Sequence, residues 1–481
     1  MSGSGFDLKA SAREEMIHEG FDPDWAPEAL AQAAALQPAS PHPGDDVRDL
    51  RDLLWSSIDN DTSRDLDQIE FAERTPSGIR VLIGIADVDA AVSVDSPIDR
   101  HAAAQTTTVY TAVRIFSMLP ERLSTDLTSL NENSDRAAIV IEFEVDNSGS
   151  ITSSNVYRAL VRNRAQLAYS SIGAWLEGSA AVPSKISAAL ADQLRLQDEA
   201  AQALRAQRHR LGALDFDRVE AQPVIVDGDV KGVEARRKNR ASDLIEDFMI
   251  AANQVMAQTL SRSGRSNIRR VVRTPERWPR IVEIAARSGA KLPDEPDSGA
   301  LAAFLEQRRR EDPVHYEDLS LAVIKLLGPG EYMLVRPSDA SPGHFGLAAH
   351  DYTHSTAPNR RFADLVTQRL IKAMLPGRLS PYSEAQLSAI AQNCTLKEDA
   401  ARKVERAMSK RVAAVAYHNR VGASFPAVVT GVTPKGVFVR VAQPPIEGRL
   451  MRGEQGVDVG DQIRVTLMGT NPERGYIDFA R

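Results

Sequence analysis

The apolar positions of the 481-residue chain change period several times along its length. Residues 1–37 place them at helical spacing, with a helix start at Ser11 and a second helix opened by Pro27, whose missing N–H costs nothing in a first turn. These two helices either form a nucleic-acid-binding pair or pack on the main body. PASPHPGDD (38–46) reads as a linker from its proline and glycine content. From about residue 48 the periods mix. IRVLIGIADV (79–88) is apolar without alternation, which predicts a buried strand. AAIVIEFEVDNSGSIT (137–152) predicts a strand, a turn at Asn147 and a returning strand. Helices are expected over 185–210, 243–261 and 360–374. After the break LPGRLSPYS, one long helix is expected over 383–421. From residue 425 β-branched residues alternate in five short runs at eight-to-twelve-residue spacing, the mark of a small barrel. The predicted class is α+β, a mixed sheet surrounded by helices followed by a five-stranded barrel, divided as 1–47, 48–420 and 421–481.

Composition narrows the class. An apolar fraction of 43% and a charged fraction of 26% describe a globular chain of two to four domains. The net charge of −7 gives no global basic field, although a local basic channel is compatible with it. Cys394 is the only cysteine, which excludes intrachain disulfides and cysteine-based zinc sites and fits a reducing compartment. No apolar signal core opens the chain and no run of about 18 apolar residues follows, so no membrane partner and a cytoplasmic location are expected.

The densest chemistry lies in IDNDTSRDLDQIE (58–70). Carboxylates this crowded repel one another unless a cation sits among them. Counted from Asp59, oxygen ligands fall at positions 1, 3, 5, 7 and 9 (Asp59, Asp61, Ser63, Asp65, Asp67), with Glu70 at position 12. That is nearly the pattern of a calcium-binding helix–loop–helix. Arg64 holds the position where that loop needs glycine, and the downstream residues read as strand, turn and strand rather than an exiting helix. The second reading is a Mg²⁺ site in which two or three aspartates polarise a phosphodiester and activate water.

Further stretches bear on the choice: SIDNDTSRDLDQIEFAE, IGIADVDAAV, YTAVRIFSMLPERLSTDLTSLNEN, IEDFMIAANQVMA, PGHFGLAAHDYTHSTAPNRRFADLVTQRLIKA and ARKVERAMSKR. In this order, over roughly residues 50 to 415, the chain resembles the ribonuclease II/ribonuclease R family of 3′-to-5′ exoribonucleases, whose catalytic module is the RNB domain. Its terminal barrel resembles an S-one-type OB fold, an RNA-binding module. The resemblance implies a monomeric, processive hydrolase that degrades single-stranded RNA to 5′-nucleotides with Mg²⁺, or Mn²⁺ in its place. It assigns metal ligands to Asp59, Asp65 and Asp67, with Asp67 essential for cleavage. The family's next aspartate is Gln68 here, a neutral amide that offers one oxygen and no charge. Asp61, where many relatives have no carboxylate, is the candidate to restore that charge.

The resemblance places Arg360 on the scissile phosphate, where a forked guanidinium suits developing charge. It makes Tyr110 the aromatic that stacks the terminal base and sets product length. Trp278 is a candidate for the other wall of that base site, with core packing the alternative. Glu405 falls at the base of the RNA channel and Tyr169 at a position that distinguishes ribose from deoxyribose. Arg162 and Arg164, read as helix arginines, are candidates for RNA-backbone contacts. Relatives also begin with two cold-shock barrels where this chain has about 45 helical residues, so a differently built RNA entrance is expected. A rival reading follows from Gln68 and the barrel: an RNA-binding protein of the same fold that has lost catalysis.

Overall fold

A computed structural model of the chain describes residues 6–37, 46–216, 220–226, 229–313 and 315–481, so most of the expected linker lies outside the described residues. Helix α1 (Leu8–His18) begins before Ser11, because the Asp7 carboxylate accepts from the free N–H groups of Lys9 and Ala10 at 2.9 and 3.0 Å. Pro27 opens α2 (Pro27–Ala35) as expected. Strands β1 (Val47–Asp49), β2 (Trp55–Asp59), β3 (Gln68–Thr75) and β4 (Gly78–Ala86) follow, then α3 (Pro97–Gln105) and a two-residue hairpin pair, β5 (Val109–Tyr110) and β6 (Ile115–Phe116). Next come β7 (Asp135–Val145) and the long β8 (Ile151–Ala168).

These strands make a six-stranded mixed sheet in the order β1-β8-β2-β3-β4-β7, and an additional β7–β8 pairing curls it back on itself. The sheet is covered by helices α4 (Tyr169–Leu176), α5 (Ala188–Arg210) and α6 (Arg240–Arg262). That cover explains the uninterrupted apolar run of β4, whose Val81 to Ala86 are buried whichever face they point to. Between α5 and α6 lies the hairpin β9 (Glu220–Val226) and β10 (Asp229–Arg236).

After α6, β11 (Asn267–Val271) pairs with the later β12 (Glu331–Val335). Between them α7 (Trp278–Arg287), α8 (Ser298–Glu311) and α9 (Tyr316–Leu327) close around an apolar cluster of their own. Helix α10 (Phe362–Met374) starts two residues later than the pattern predicts, because Arg361 is extended and bridges to Thr107. Helix α11 (Glu384–Tyr417) opens on a Ser383–Gln386 capping box and runs 34 residues. Strands β13 (Ser424–Thr433), β14 (Gly436–Val441), β15 (Ile446–Arg452), β16 (Gln462–Asn471) and β17 (Tyr476–Ala480) form the closed barrel that the alternation predicted.

The N-terminal helices pack on the main body. Ala12, Met16 and Phe21 share a cluster with Val109 and Phe116 of the β5–β6 hairpin and with Ala401, Val404 and Met408 of α11. Trp25 stacks on His101 of α3 at 3.8 Å between ring centres. Among the described residues no helix is long and apolar enough to cross a membrane.

Candidate active site

Asp59 ends β2, Asp67 directly precedes β3 and Gln68 begins it, so all three sit at one end of the sheet. The loop between the strands is pinned from residues 129–130. The Leu66 N–H donates to Ser129 Oγ at 3.0 Å, Ser129 Oγ donates to the Arg64 carbonyl at 2.8 Å, and the Leu130 N–H donates to the Leu66 carbonyl at 3.0 Å. Arg64 keeps an ordinary negative φ and β3 follows it, so neither feature of a calcium hand is present.

Asp67 is the buried centre of the group, 1% exposed. Its Oδ1 accepts from the Asn359 N–H at 2.9 Å, whereas Oδ2 receives no hydrogen bond and faces Arg360 Nε at 3.4 Å. Burial pushes its carboxyl up to about 7, against the pull of Arg360 and the Asn359 N–H. Burial also raises Asp59, opposed by hydrogen bonds from the Asn60 N–H and the Ser63 hydroxyl and reinforced by the charge of Asp65.

Arg360 and Tyr110 hang on one short backbone ladder. The Thr108 N–H donates to the Arg360 carbonyl at 2.9 Å and the Phe362 N–H to the Thr106 carbonyl at 2.8 Å. Tyr110 in turn donates its hydroxyl to Asp65 Oδ2 at 3.0 Å, and its N–H reaches Glu405 Oε1 of α11 at 3.1 Å. The structure therefore brings Asp59, Asp65, Asp67, Tyr110, Arg360 and Glu405 together. Tyr169 is the first residue of α4, and burial raises its phenol, with the charges of Asp59 and Glu70 adding to the rise. A cavity of about 220 Å³ opens beside Tyr110 and Arg360, with Tyr332, His354, Glu398 and Glu405 in its wall.

Four expectations are corrected. Asp61 is exposed, and both its oxygens accept from the Ser170 hydroxyl at 2.8 and 3.0 Å, so it does not complete the aspartate group. Trp278 is 2% exposed inside the α7–α9 cluster, and its indole N–H donates to the Pro293 carbonyl at 2.9 Å; it packs a core rather than walling the cavity. Arg162 and Arg164 lie on β8, not on a helix. Arg162 pairs with Asp135 of β7 at 2.5 Å and Arg164 donates to the Arg51 carbonyl, so both are engaged within the protein.

Several participants carried no sequence signal of their own. Asn359 supplies the N–H that holds Asp67, and its side-chain oxygen accepts from Thr128 at 2.5 Å. Tyr332 and His354 meet through Oη and Nδ1 at 2.7 Å, and burial holds the His354 ring well below the usual histidine range and neutral. His354 lies six residues before Arg360 in HSTAPNRR, and that proximity is the one sequence signal it carries. Glu70 is fully buried with neither carboxylate oxygen hydrogen-bonded.

The donor set at the sheet end is all oxygen, which suits a hard divalent cation rather than zinc or copper. The unbonded, buried Oδ2 of Asp67 is an acceptor without a donor, the condition a cation would relieve. These residues fit such an ion by chemistry. Among the described residues, the one trio of His or carboxylate ligand atoms within 4.8 Å of one another is Glu15, His18 and Glu19 on the surface of α1 and its cap, so the aspartates stand apart as like charges do.

The RNB domain family model matches residues 47–377, and the model of the RNase II-type exonuclease C-terminal S1 domain matches 423–481. Ribonuclease R of Aquifex aeolicus is 29% identical over 465 residues, covering 90% of this chain and 64% of that protein. Ribonuclease R of Thermotoga maritima is 30% identical over 504 residues, covering 96% and 69%. Other ribonuclease R relatives are matched over little more than half their length, 56% in Lactococcus lactis. Mycoplasma genitalium RNase R, solved in complex with ribose methylated single-stranded RNA, superposes with a TM-score of 0.89 at 22% identity, covering 99% of this chain and 78% of that one. A domain match over most of the chain, in front of a matched terminal barrel and around this group of aspartates, makes the chain a member of the RNB-domain family of ribonuclease II and ribonuclease R.

Proposed function

We propose that this chain is a 3′-to-5′ exoribonuclease that hydrolyses single-stranded RNA processively to 5′-nucleotides. The observation that carries this reading is Asp67, a buried carboxylate with one unbonded oxygen facing a half-exposed arginine at 3.4 Å. A site built to bury charge without satisfying it is costly, and such costs concentrate where chemistry is done. Asp59, Asp65 and Asp67 would hold a divalent ion, Mg²⁺ or Mn²⁺. When bound, that ion lowers the pKa of an attacking water and neutralises phosphate charge.

The protein's own groups do the rest. Arg360, 47% exposed, presents its fork of donors to the phosphate as negative charge shifts onto the leaving oxygen. Tyr110 offers a ring face to the terminal base, while its hydroxyl holds Asp65 and its N–H is held by Glu405. That linkage keeps the base platform and the acidic group in one register, so each advance by one nucleotide re-presents a phosphodiester in the same place. Tyr169, beside Asp59, is positioned to contact the ribose. In this reading the segment before residue 47 is a packed support, residues 48–420 are the catalytic body, residues 421–481 are an RNA-binding barrel, and the chain works as a monomer.

Gln68 favours a second reading, an RNA-binding protein without catalysis. A 5′-labelled oligoribonucleotide incubated with Mg²⁺, with and without EDTA, separates the two. A metal-dependent ladder ending in a short product is expected. An intact band that shifts on a native gel would give the case to the binder.

A further inference from the structure

The Asp67 carboxylate is addressed from one short turn. The Asn359 N–H that reaches its Oδ1 at 2.9 Å and the Arg360 Nε that faces its Oδ2 at 3.4 Å belong to consecutive residues. Where the turn sits therefore decides both contacts. Its own backbone ties it sparingly, because the N–H groups of Arg360 and Arg361 share the single carbonyl of Ala357, at 3.2 and 2.9 Å. The Thr128 hydroxyl anchors the Asn359 side chain in the middle.

The two ends are tied by a residue that lies beyond the turn. Asp364, in the first turn of α10, is 0% exposed. Its Oδ1 accepts from the Ala357 N–H at 2.8 Å and from Arg361 Nη2 at 2.7 Å, and its Oδ2 accepts from Arg361 Nε at 2.8 Å. Ala357 opens the turn and Arg361 closes it, so one buried carboxylate holds both ends with three charge-assisted hydrogen bonds. A helix N-terminus favours an acid in its first turn, but that preference asks for neither a fork to Arg361 nor a bond back to Ala357. Asparagine could not take over the task. It has one acceptor oxygen, so its amide N–H₂ would face Arg361 Nε or the Ala357 N–H, donor against donor. It would also leave the Arg361 guanidinium without the carboxylate it pairs with.

We propose that Asp364 is a positioning residue of the reaction: through Ala357 and Arg361 it sets the turn from which the Asn359 N–H and Arg360 address Asp67. This rests on the reading of the chain as a nuclease. Asp364 acts through other groups, so its loss displaces Arg360 without removing it. A displacement of about 1 Å at a reacting centre costs on the order of a hundredfold in rate.

The test is the single-turnover cleavage rate of a 5′-labelled oligoribonucleotide with Mg²⁺ and saturating full-length protein, read beside RNA affinity by gel shift and folding by circular dichroism. Asp364→Asn lowers the rate by about thirty- to a hundredfold and leaves affinity within about threefold of wild type. In a double-mutant cycle with Arg360→Lys, the combined loss falls short of the product of the single losses by about tenfold or more, because both changes act on one contact. Arg361→Lys keeps a cation beside Asp364 without the fork, and it lowers the rate about tenfold with affinity again within about threefold. It carries the test if Asp364→Asn does not fold. A folded Asp364→Asn, or in its place a folded Arg361→Lys, that cuts within about threefold of wild type overturns the assignment, and so does a double variant that loses the full product. Those results leave wild-type cleavage, and with it the nuclease reading, standing. A wild-type chain that cuts no RNA removes the nuclease reading itself and the assignment with it.

Discussion

Replacing Asp67 by asparagine separates what the residue does for the fold from what it does for the reaction. The carboxyl is 1% exposed and titrates near about 7 instead of the ordinary 3.8, chiefly through burial. A raised folded-state value means that the protonated form is the one the fold accommodates. Its contribution is complete below 3.8 and is lost as pH climbs through 7. Each pH unit between the two values is worth about 1.4 kcal/mol, so the ionised carboxylate costs the metal-free fold up to about 4 kcal/mol at pH 7.5. Asparagine keeps the shape and an oxygen for the Asn359 N–H at 2.9 Å, loses the charge, and gives up the attraction to Arg360. Asp67→Asn is therefore expected to be more stable than wild type in EDTA at pH 7.5, by up to about 4 kcal/mol, with the difference falling to about 1 kcal/mol near pH 4.5 and vanishing below 3.8. Urea unfolding at the two pH values measures this. The same variant loses at least about a thousandfold in hydrolysis, equivalent to about 4 kcal/mol of barrier, while still retaining RNA in a gel shift. A variant less stable than wild type at pH 7.5, or a difference that does not change with pH, refutes the buried-charge reasoning. Persistent hydrolysis refutes the catalytic role.

Other perturbations follow from the same geometry. Arg360→Lys exchanges a fork for a point charge and should lower the single-turnover cleavage rate by about a hundred- to a thousandfold with RNA affinity nearly unchanged. Tyr110→Ala removes the ring and the bond to Asp65; affinity should fall by about 1–3 kcal/mol and the final product lengthen on a sequencing gel, whereas Tyr110→Phe keeps the product length. Trp278→Ala should cost about 3–5 kcal/mol of stability in the α7–α9 region and leave product length untouched, because the indole is core there.

The parts of this fold that could be read in the sequence are those whose cause is local. The unbroken apolar run of β4, the Ser383–Gln386 box and the alternation of the barrel strands each state their structure within a few residues. The misreadings came from residue types whose role depends on context. Arg162 and Arg164 sit in VYRALVRNRAQLA, where burial alternates with period two but the residue types do not, since ALV and RNR interrupt the pattern, so the strand is masked in the sequence. Trp278 has a large apolar body that serves a core as well as a base site, and only the α7–α9 contacts decide between them. The aspartates were legible as a cluster, and the surrounding motifs tied them to Arg360. What no local pattern could supply is the ladder that joins Thr106–Thr108 to Arg360–Phe362, or the Asn359 N–H on Asp67, because each connects residues more than two hundred positions apart.

That long-range bracing explains how the site can exist. Asp67 and Glu70 are taken out of water and Asp59 is half-buried, and Asp67 Oδ2 and both oxygens of Glu70 receive no hydrogen bond. Left to itself, the end of such a sheet would relax by turning its acids outward. It is held by hydrogen bonds from distant parts of the chain. The 64–66 loop is bound at three points by Ser129 and Leu130, Asn359 is fixed by Thr128, and Asp364 accepts from the Ala357 N–H at 2.8 Å while pairing with Arg361. Behind Tyr110, α1 and the turn after it fill the space between the β5–β6 hairpin and α11 with Ala12 and Met16 of the helix and Phe21 of the turn. The N-terminal helix thus bears on the site without touching it, by fixing the strand that carries Tyr110 and hence the hydroxyl that holds Asp65. Strain at the acids and close packing around them are two sides of one arrangement, in which a rigid frame keeps oxygens in place for a cation that the chain alone cannot replace.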